Sequence, residues 1–200
     1  MGPVSRVIDV AVARAIRIVG LDVDGVLTDG GIYLGAGGSG TIEFKRYDIQ
    51  DGLGIRFLQD AGIRVAIVTG RVSESVRLRA AELGITDVIQ DAHARKLPAF
   101  RRLLATAGID ARDAAFIGDD WPDMGVMRDV GLPVAVGNAV PEIAAVAHVR
   151  LSRTGGRGAV REFAELLLRA RGQWDAVTEG YVRSRAAAPG DLPVAAGASA

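Results

Sequence analysis

Near its N-terminus the chain reads Ile16-Arg17-Ile18-Val19-Gly20-Leu21-Asp22-Val23-Asp24-Gly25-Val26-Leu27-Thr28-Asp29-Gly30. The first six residues form a short, mostly apolar run of the kind that makes a buried strand. Asp22 and Asp24 follow where strand gives way to loop, and Gly25 and Gly30 let the backbone turn tightly there. Ligands of open α/β sheets bind outside the carboxyl ends of the strands, so two carboxylates at this point occupy an active-site address. As an isolated nonapeptide the stretch also fits an ordinary turn with solvated aspartates.

Further along, apolar runs recur at Ile63–Val68, Asp87–Gln90, Ala114–Gly118 and Leu132–Val136. Helical patterns separate them: one from Asp51, one capped at Ser73 and ending at Leu83, one over 95–107, one through Asp129 and a short one after Pro141. This alternation predicts an α/β fold, a Rossmann-like parallel sheet with helices on both faces. Gly31–Leu34 and Thr41–Phe44, joined by a glycine-rich loop, predict a β-hairpin flap over 31–44. A short helix is expected over 5–14, a last strand over 149–152 and a helix over 159–171. The expectation is a single domain over 1–180 without a large cap, and a disordered tail over 181–200, where Ala, Pro and Gly dominate.

Two hundred residues are ample for one buried core. Acidic and basic residues balance at 24 each, so no electrostatic footprint for nucleic acid or an anionic membrane is present and a small molecule is the expected partner. Cysteine is absent, which excludes thiolate metal sites. Asp9 and Arg14 interrupt the N-terminal apolar residues, and no run reaches membrane-spanning length, so the default location is cytoplasmic. Lys45 and Lys96 are the only lysines among the 24 basic residues. Lys96 is read as functional; Lys45 fits an exposed flap position equally well. Trp121 and Trp174 are read as packing residues.

The strand ends present Asp22 with Asp24, then Thr69, and finally Asp119 with Asp123, while Lys96 stands at a helix start. In a parallel sheet these edges lie side by side, so the groups converge although far apart in sequence. Three carboxylates around one point repel unless a cation intervenes, and Mg²⁺ takes oxygen ligands at about 2.0–2.1 Å while keeping room for waters and phosphate. The expected site is therefore a Mg²⁺-phosphate site. Thr69 would offer a hydroxyl and Lys96 a fixed charge to phosphate oxygens; one aspartate would attack phosphorus and the other protonate the leaving alcohol.

These residues resemble the four motifs of the haloacid dehalogenase superfamily: Asp-x-Asp-Gly-x-x-Thr at 22–28, Thr69, Lys96 and Gly-Asp-Asp-x-x-Asp at 118–123. Asp51-Gly52-Leu53-Gly54-Ile55, Val68-Thr69-Gly70-Arg71 and Gly155-Gly156-Arg157-Gly158-Ala159-Val160-Arg161-Glu162 are similar to its 3-deoxy-D-manno-octulosonate 8-phosphate phosphatase family, over roughly residues 10 to 175. The resemblance implies Asp22 as nucleophile and Asp24 as acid/base. It implies Mg²⁺ on Asp22, the Asp24 carbonyl and Asp119, with Asp123 in support. Thr69, Gly70, Arg71, Lys96 and Arg157 would serve phosphate or substrate. A homotetramer with packed hairpins is implied as well. Phosphatases of nine-carbon 2-keto sugar acid 9-phosphates are the alternative; a receiver module and a dehalogenase rank lower, because neither needs Asp24 beside Asp22. The segment Gln90–Lys96 is one residue longer than the family's usual spacing.

Overall fold

The structure is a computed structural model that describes residues 7–38 and 40–186. Helix α1 (Val10–Ala15) starts five residues later than expected because Asp9 caps it, its carboxylate accepting from the N–H groups of Ala11 and Val12. Strand β1 (Ile18–Leu21) then enters the interior, and all four of its residues are buried. The hairpin follows as β2 (Tyr33–Gly37) and β3 (Gly40–Phe44), paired from Tyr33↔Phe44 to Gly37↔Gly40. Its strands thus extend into the segment expected as loop.

The alternating part consists of α2 (Ile49–Asp60), β4 (Arg64–Thr69), α3 (Glu74–Glu82), β5 (Asp87–Gln90), α4 (Lys96–Ala107), β6 (Ala114–Gly118), α5 (Met124–Met127), β7 (Leu132–Ala135), α6 (Pro141–Val146), β8 (Val149–Arg150) and α7 (Ala159–Ala170). The six strands outside the hairpin form one sheet in the order β5-β4-β1-β6-β7-β8, with every neighbouring pair parallel. The fold is the expected α/β sheet with a small antiparallel hairpin beside it. From β1 the chain moves outward through β4 to β5, then returns to β6 on the other flank and moves outward again. The order reverses between β1 and β6, which is where such sheets hold ligands.

Period-two alternation sends neighbouring side chains to opposite cores. Val19, Leu21, Ile67, Ala115 and Ile117 join Ile55, Leu58, Phe163 and Leu167 under α2 and α7. Ile18, Ala66, Val68 and Phe116 join Phe100, Leu104 and Met127 under α4 and α5. Each fully buried large apolar side chain contributes about 1.5–3 kcal/mol, so the two cores together fix the central strands against slippage.

A last helix, α8 (Trp174–Ala186), was not expected, and it occupies the beginning of the predicted tail. Trp174 and Tyr181 meet the ring of Phe57 edge-on at 5.6 and 5.4 Å, contacts that anchor it to α2. Residues 187–200 of the expected tail lie outside the described residues, as do residues 5 and 6 of the expected first helix. Trp121 is 58% exposed, so it is not the packing residue the sequence suggested. Ser73 stands at the N-terminus of α3 without capping it; its hydroxyl donates to Glu43 at 2.7 Å instead.

Candidate active site

The loop after β1 carries Asp22 at 5% exposure, on the boundary of the core. Gly25 holds φ +94°, and a Cβ there would meet Asp119 Oδ2 at 2.0 Å, so only glycine lets the loop approach the end of β6. Thr28 fastens the turn: its hydroxyl accepts from the N–H groups of Gly25 (3.4 Å) and Gly30 (3.2 Å) and donates to the Val23 carbonyl (3.3 Å).

Lys96 comes from the first residue of α4. Ala94 just before it adopts φ +54°, a left-handed conformation uncommon outside glycine. Asp91 holds this tight turn, accepting from the N–H of His93 at 2.9 Å, while its carbonyl accepts from Ala94 N–H at 2.8 Å. Lys96 arrives buried, its Nζ 2.6 Å from Asp22 Oδ1 and 2.7 Å from Asp123 Oδ1. Asp123 is fully engaged, since its other oxygen accepts from the N–H of Asp119 at 3.0 Å. Asp119 differs: its Oδ1 is buried with no hydrogen-bond partner.

One ammonium is paired with two of three clustered carboxylates. Burial, reinforced by the charge of Asp123 and only partly offset by Lys96, pushes the Asp22 carboxyl well above the ordinary carboxylate range. The Asp119 carboxyl is pushed to about 7 by burial and by Asp123. Burial opposes the charge of Lys96, yet Asp22 and Asp123 raise its pKa above the ordinary lysine value. An excess of buried negative charge and an orphaned oxygen are what a hard cation would satisfy. Oxygens of Asp22, Asp119 and Asp123 all lie within 4.8 Å of one another, so the donor set fits Mg²⁺.

A cleft of about 220 Å³ opens at this cluster, lined by Asp22, Asp24, Thr69, Gly70, Arg71, Lys96 and Asp119 among others. Asp123 sits beneath it, fully buried. Arg157 is the expected residue that the fold does not bring there. Its side chain is 62% exposed and faces Asp29 at 3.9 Å, across a separate cavity of about 420 Å³ that Tyr33 and Asn138 also line.

Three contributors escaped the sequence. Lys45, read as equally suited to an exposed place, has a side chain with no exposure, ion-paired to Asp24. Glu43 accepts from Arg71 at 2.8 Å, so Arg71 is held by the flap. Asn138 bridges two loops: its amide donates to the Gly25 carbonyl at 3.1 Å, and its oxygen accepts from Gly155 N–H at 2.6 Å. The signal for this role in the sequence is Asn138 directly after Gly137, just past β7.

Gly155 packs so closely that a Cβ would lie 1.8 Å from the Gly25 carbonyl oxygen. That neighbour is backbone and cannot rotate aside. Gly155→Ala is therefore expected to displace the catalytic loop and lower turnover by more than about tenfold, given that ångström-scale misplacement costs on the order of 10²-fold. Steady-state phosphate release by the variant measures it.

With this geometry in hand, the comparisons with known proteins are specific. The model of the haloacid dehalogenase-like hydrolases matches residues 84–161. The 3-deoxy-D-manno-octulosonate 8-phosphate phosphatase KdsC of Escherichia coli K12 is 46% identical over 174 residues, 87% of this chain and 90% of that protein. Among solved structures, the Moraxella catarrhalis enzyme of that name, in complex with magnesium, phosphate and KDO, is 40% identical with a TM-score of 0.80, covering 86% of this chain and 97% of that one. The cobalt-bound Haemophilus influenzae phosphatase is 35% identical with a TM-score of 0.78, covering 86% and 99%. The chain belongs to the haloacid dehalogenase-like hydrolases, in the family of the 3-deoxy-D-manno-octulosonate 8-phosphate phosphatases.

Proposed function

We propose that this protein is a Mg²⁺-dependent phosphatase that hydrolyses 3-deoxy-D-manno-octulosonate 8-phosphate to the free sugar acid and inorganic phosphate. The observation that carries the proposal is the convergence of Asp22, Asp119 and Asp123, the first and last of them ion-paired to Lys96, at a cleft that Asp24 also lines.

In the proposed mechanism a carboxylate oxygen of Asp22 attacks phosphorus while the bond from phosphorus to the ester oxygen breaks. Asp24 gives its proton to that departing oxygen. A water, deprotonated by Asp24, then attacks the aspartyl-phosphate, releasing inorganic phosphate and regenerating Asp22. The Thr69 hydroxyl, Gly70 N–H and Lys96 hold the phosphate oxygens, and Arg71 faces the sugar. Asp22, Asp119 and the Asp24 carbonyl would hold Mg²⁺, with Asp123 supporting them through Lys96 and the Asp119 amide. The metal would supply neutralisation of charge on phosphate oxygens. Arg157, in its separate cavity, is left out of this set.

The location is proposed to be cytoplasmic; among the described residues no helix is long and apolar enough to cross a membrane. The assembly is proposed to be a homotetramer built on the flap, whose Tyr33, Leu34, Ile42 and Phe44 are exposed apolar residues.

Phosphate release from the eight-carbon ester, the nine-carbon 2-keto acid 9-phosphate and ordinary hexose phosphates tests the substrate. Preference for the eight-carbon ester, lost on chelation and restored by Mg²⁺, is expected. Preference for the nine-carbon ester would reassign the substrate, and activity indifferent to chelation would remove the metal from the proposal.

A further inference from the structure

We propose that Lys45, carried at the base of the flap, is a positioning residue that fixes the carboxylate of Asp24. The inference rests on the assignment of Asp24 as acid/base. The chain has 22 arginines and two lysines. Both lysines place a buried ammonium on one of the two aspartates that follow β1: Lys96 on Asp22 and Lys45 on Asp24. An ammonium withdrawn from water is tolerated only against well-placed acceptors, and a merely structural position at the flap base would be served as well by an apolar side chain.

Four charges close a ring. Asp24 presents Oδ1 to Lys45 and Oδ2 to Arg71 Nε at 3.7 Å. Lys45 lies 3.7 Å from Glu43 Oε1, and Glu43 Oε2 accepts from Arg71 at 2.8 Å. Ser73 holds Glu43 from the far side. The flap base is itself pinned to the catalytic loop by an antiparallel bridge between Thr28 and Tyr47, so Lys45 is delivered from backbone on either side of which the chain is held. Asp24 is thus grasped from two directions, with Lys45 the buried member and Arg71 the half-exposed one. A carboxylate that must meet the departing ester oxygen needs that kind of fixed aim.

A poor leaving group needs the acid and a good one does not, so leaving-group dependence separates loss of aim from general damage. The full-length Mg²⁺-loaded protein is mixed with the eight-carbon keto-acid phosphate or with p-nitrophenyl phosphate, and first-turnover release of the alcohol or phenol is followed. Lys45→Met is expected to slow release from the sugar ester by about 10²-fold, within the range ascribed to a positioned general acid, and by at least about tenfold more than from the nitrophenyl ester. Equal losses on both esters, or none on either, would overturn the proposal. Should Lys45→Met not fold, Glu43→Gln keeps the ammonium but removes the charge of its second partner. It is expected to show the same inequality at smaller size, and equal losses there overturn the proposal too. Asp24→Asn run in parallel separates the two levels. If it slows both esters alike, the acid/base assignment falls and this proposal with it; if it shows the inequality and Lys45→Met does not, only the role of Lys45 falls.

Discussion

Asp22→Asn is expected to lower turnover by roughly 10⁴–10⁶-fold, the range in which removal of a covalent nucleophile falls. The amide is nearly isosteric but cannot attack phosphorus, so no aspartyl-phosphate forms. Folding is expected to be spared. Asp22 is buried among like charges that, with desolvation, already raise its carboxyl well above the ordinary range, and a neutral amide removes that repulsion. The melting temperature should therefore be unchanged or higher while activity is lost. Phosphate release and a melting curve on one preparation measure both. Activity within tenfold of wild type would remove Asp22 from the nucleophile's role.

Lys96→Met carries the second large effect, on stability as well as turnover. Its ammonium is the buried partner of both Asp22 and Asp123, and breaking a buried pair by removing one member costs about 3–5 kcal/mol. For a chain of this size each kcal/mol moves the melting temperature by about 2–4 °C, so a fall of about 6–20 °C is expected. The loss should depend on pH in a defined sense. A carboxylate whose folded pKa lies above its unfolded value penalises the fold above that folded pKa. Below the unfolded value it costs nothing. Without Lys96 the carboxyl of Asp22, already raised, rises further, so the destabilisation is expected to be largest near pH 8 and to fade toward pH 4. Mg²⁺ should recover part of it by neutralising the same carboxylates. Melting curves across pH, with and without Mg²⁺, check all three statements; a pH-independent loss would mean that Lys96 acts through packing alone.

Most of the fold was legible because its signals are local. The strands under the site are short continuous runs of Val, Ile, Ala and Phe, and their length and the Asp or Gly that bounds them mark them as buried strands. The charged cluster was legible for a related reason: Asp22, Thr69, Lys96 and Asp119 sit at strand ends or a helix start, and parallel topology brings such ends together. What stayed hidden depends on partners distant in sequence. Helix α8 offers only a short stripe, Trp174, Val177 and Tyr181, and gains its place from Phe57, more than a hundred residues earlier. Lys45 looks solvated until Asp24, 21 residues away, is placed against it. Arg157 was drawn toward the substrate by its motif, whereas the glycines around it serve the close contact with the Gly25 loop.

The brace on the catalytic loop also ties activity to the order in which the chain is synthesised. By the time Asp123 has left the ribosome, every charged group of the cluster has been made. The loop that carries Asp22 and Asp24 still lacks its brace from Asn138 and Gly155, which come later. Asp51 in α2 accepts from the N–H groups of Gly158 and Arg161, contacts that close over about a hundred residues and so belong among the slow, non-local steps of folding. Docking of α7 onto α2 is thus expected late in assembly, and with it the bracing of the loop that carries Asp22 and Asp24. A nascent chain that has not yet reached Gly155, Gly158 and Arg161 is expected to hold the charged groups without the brace that sets their loop.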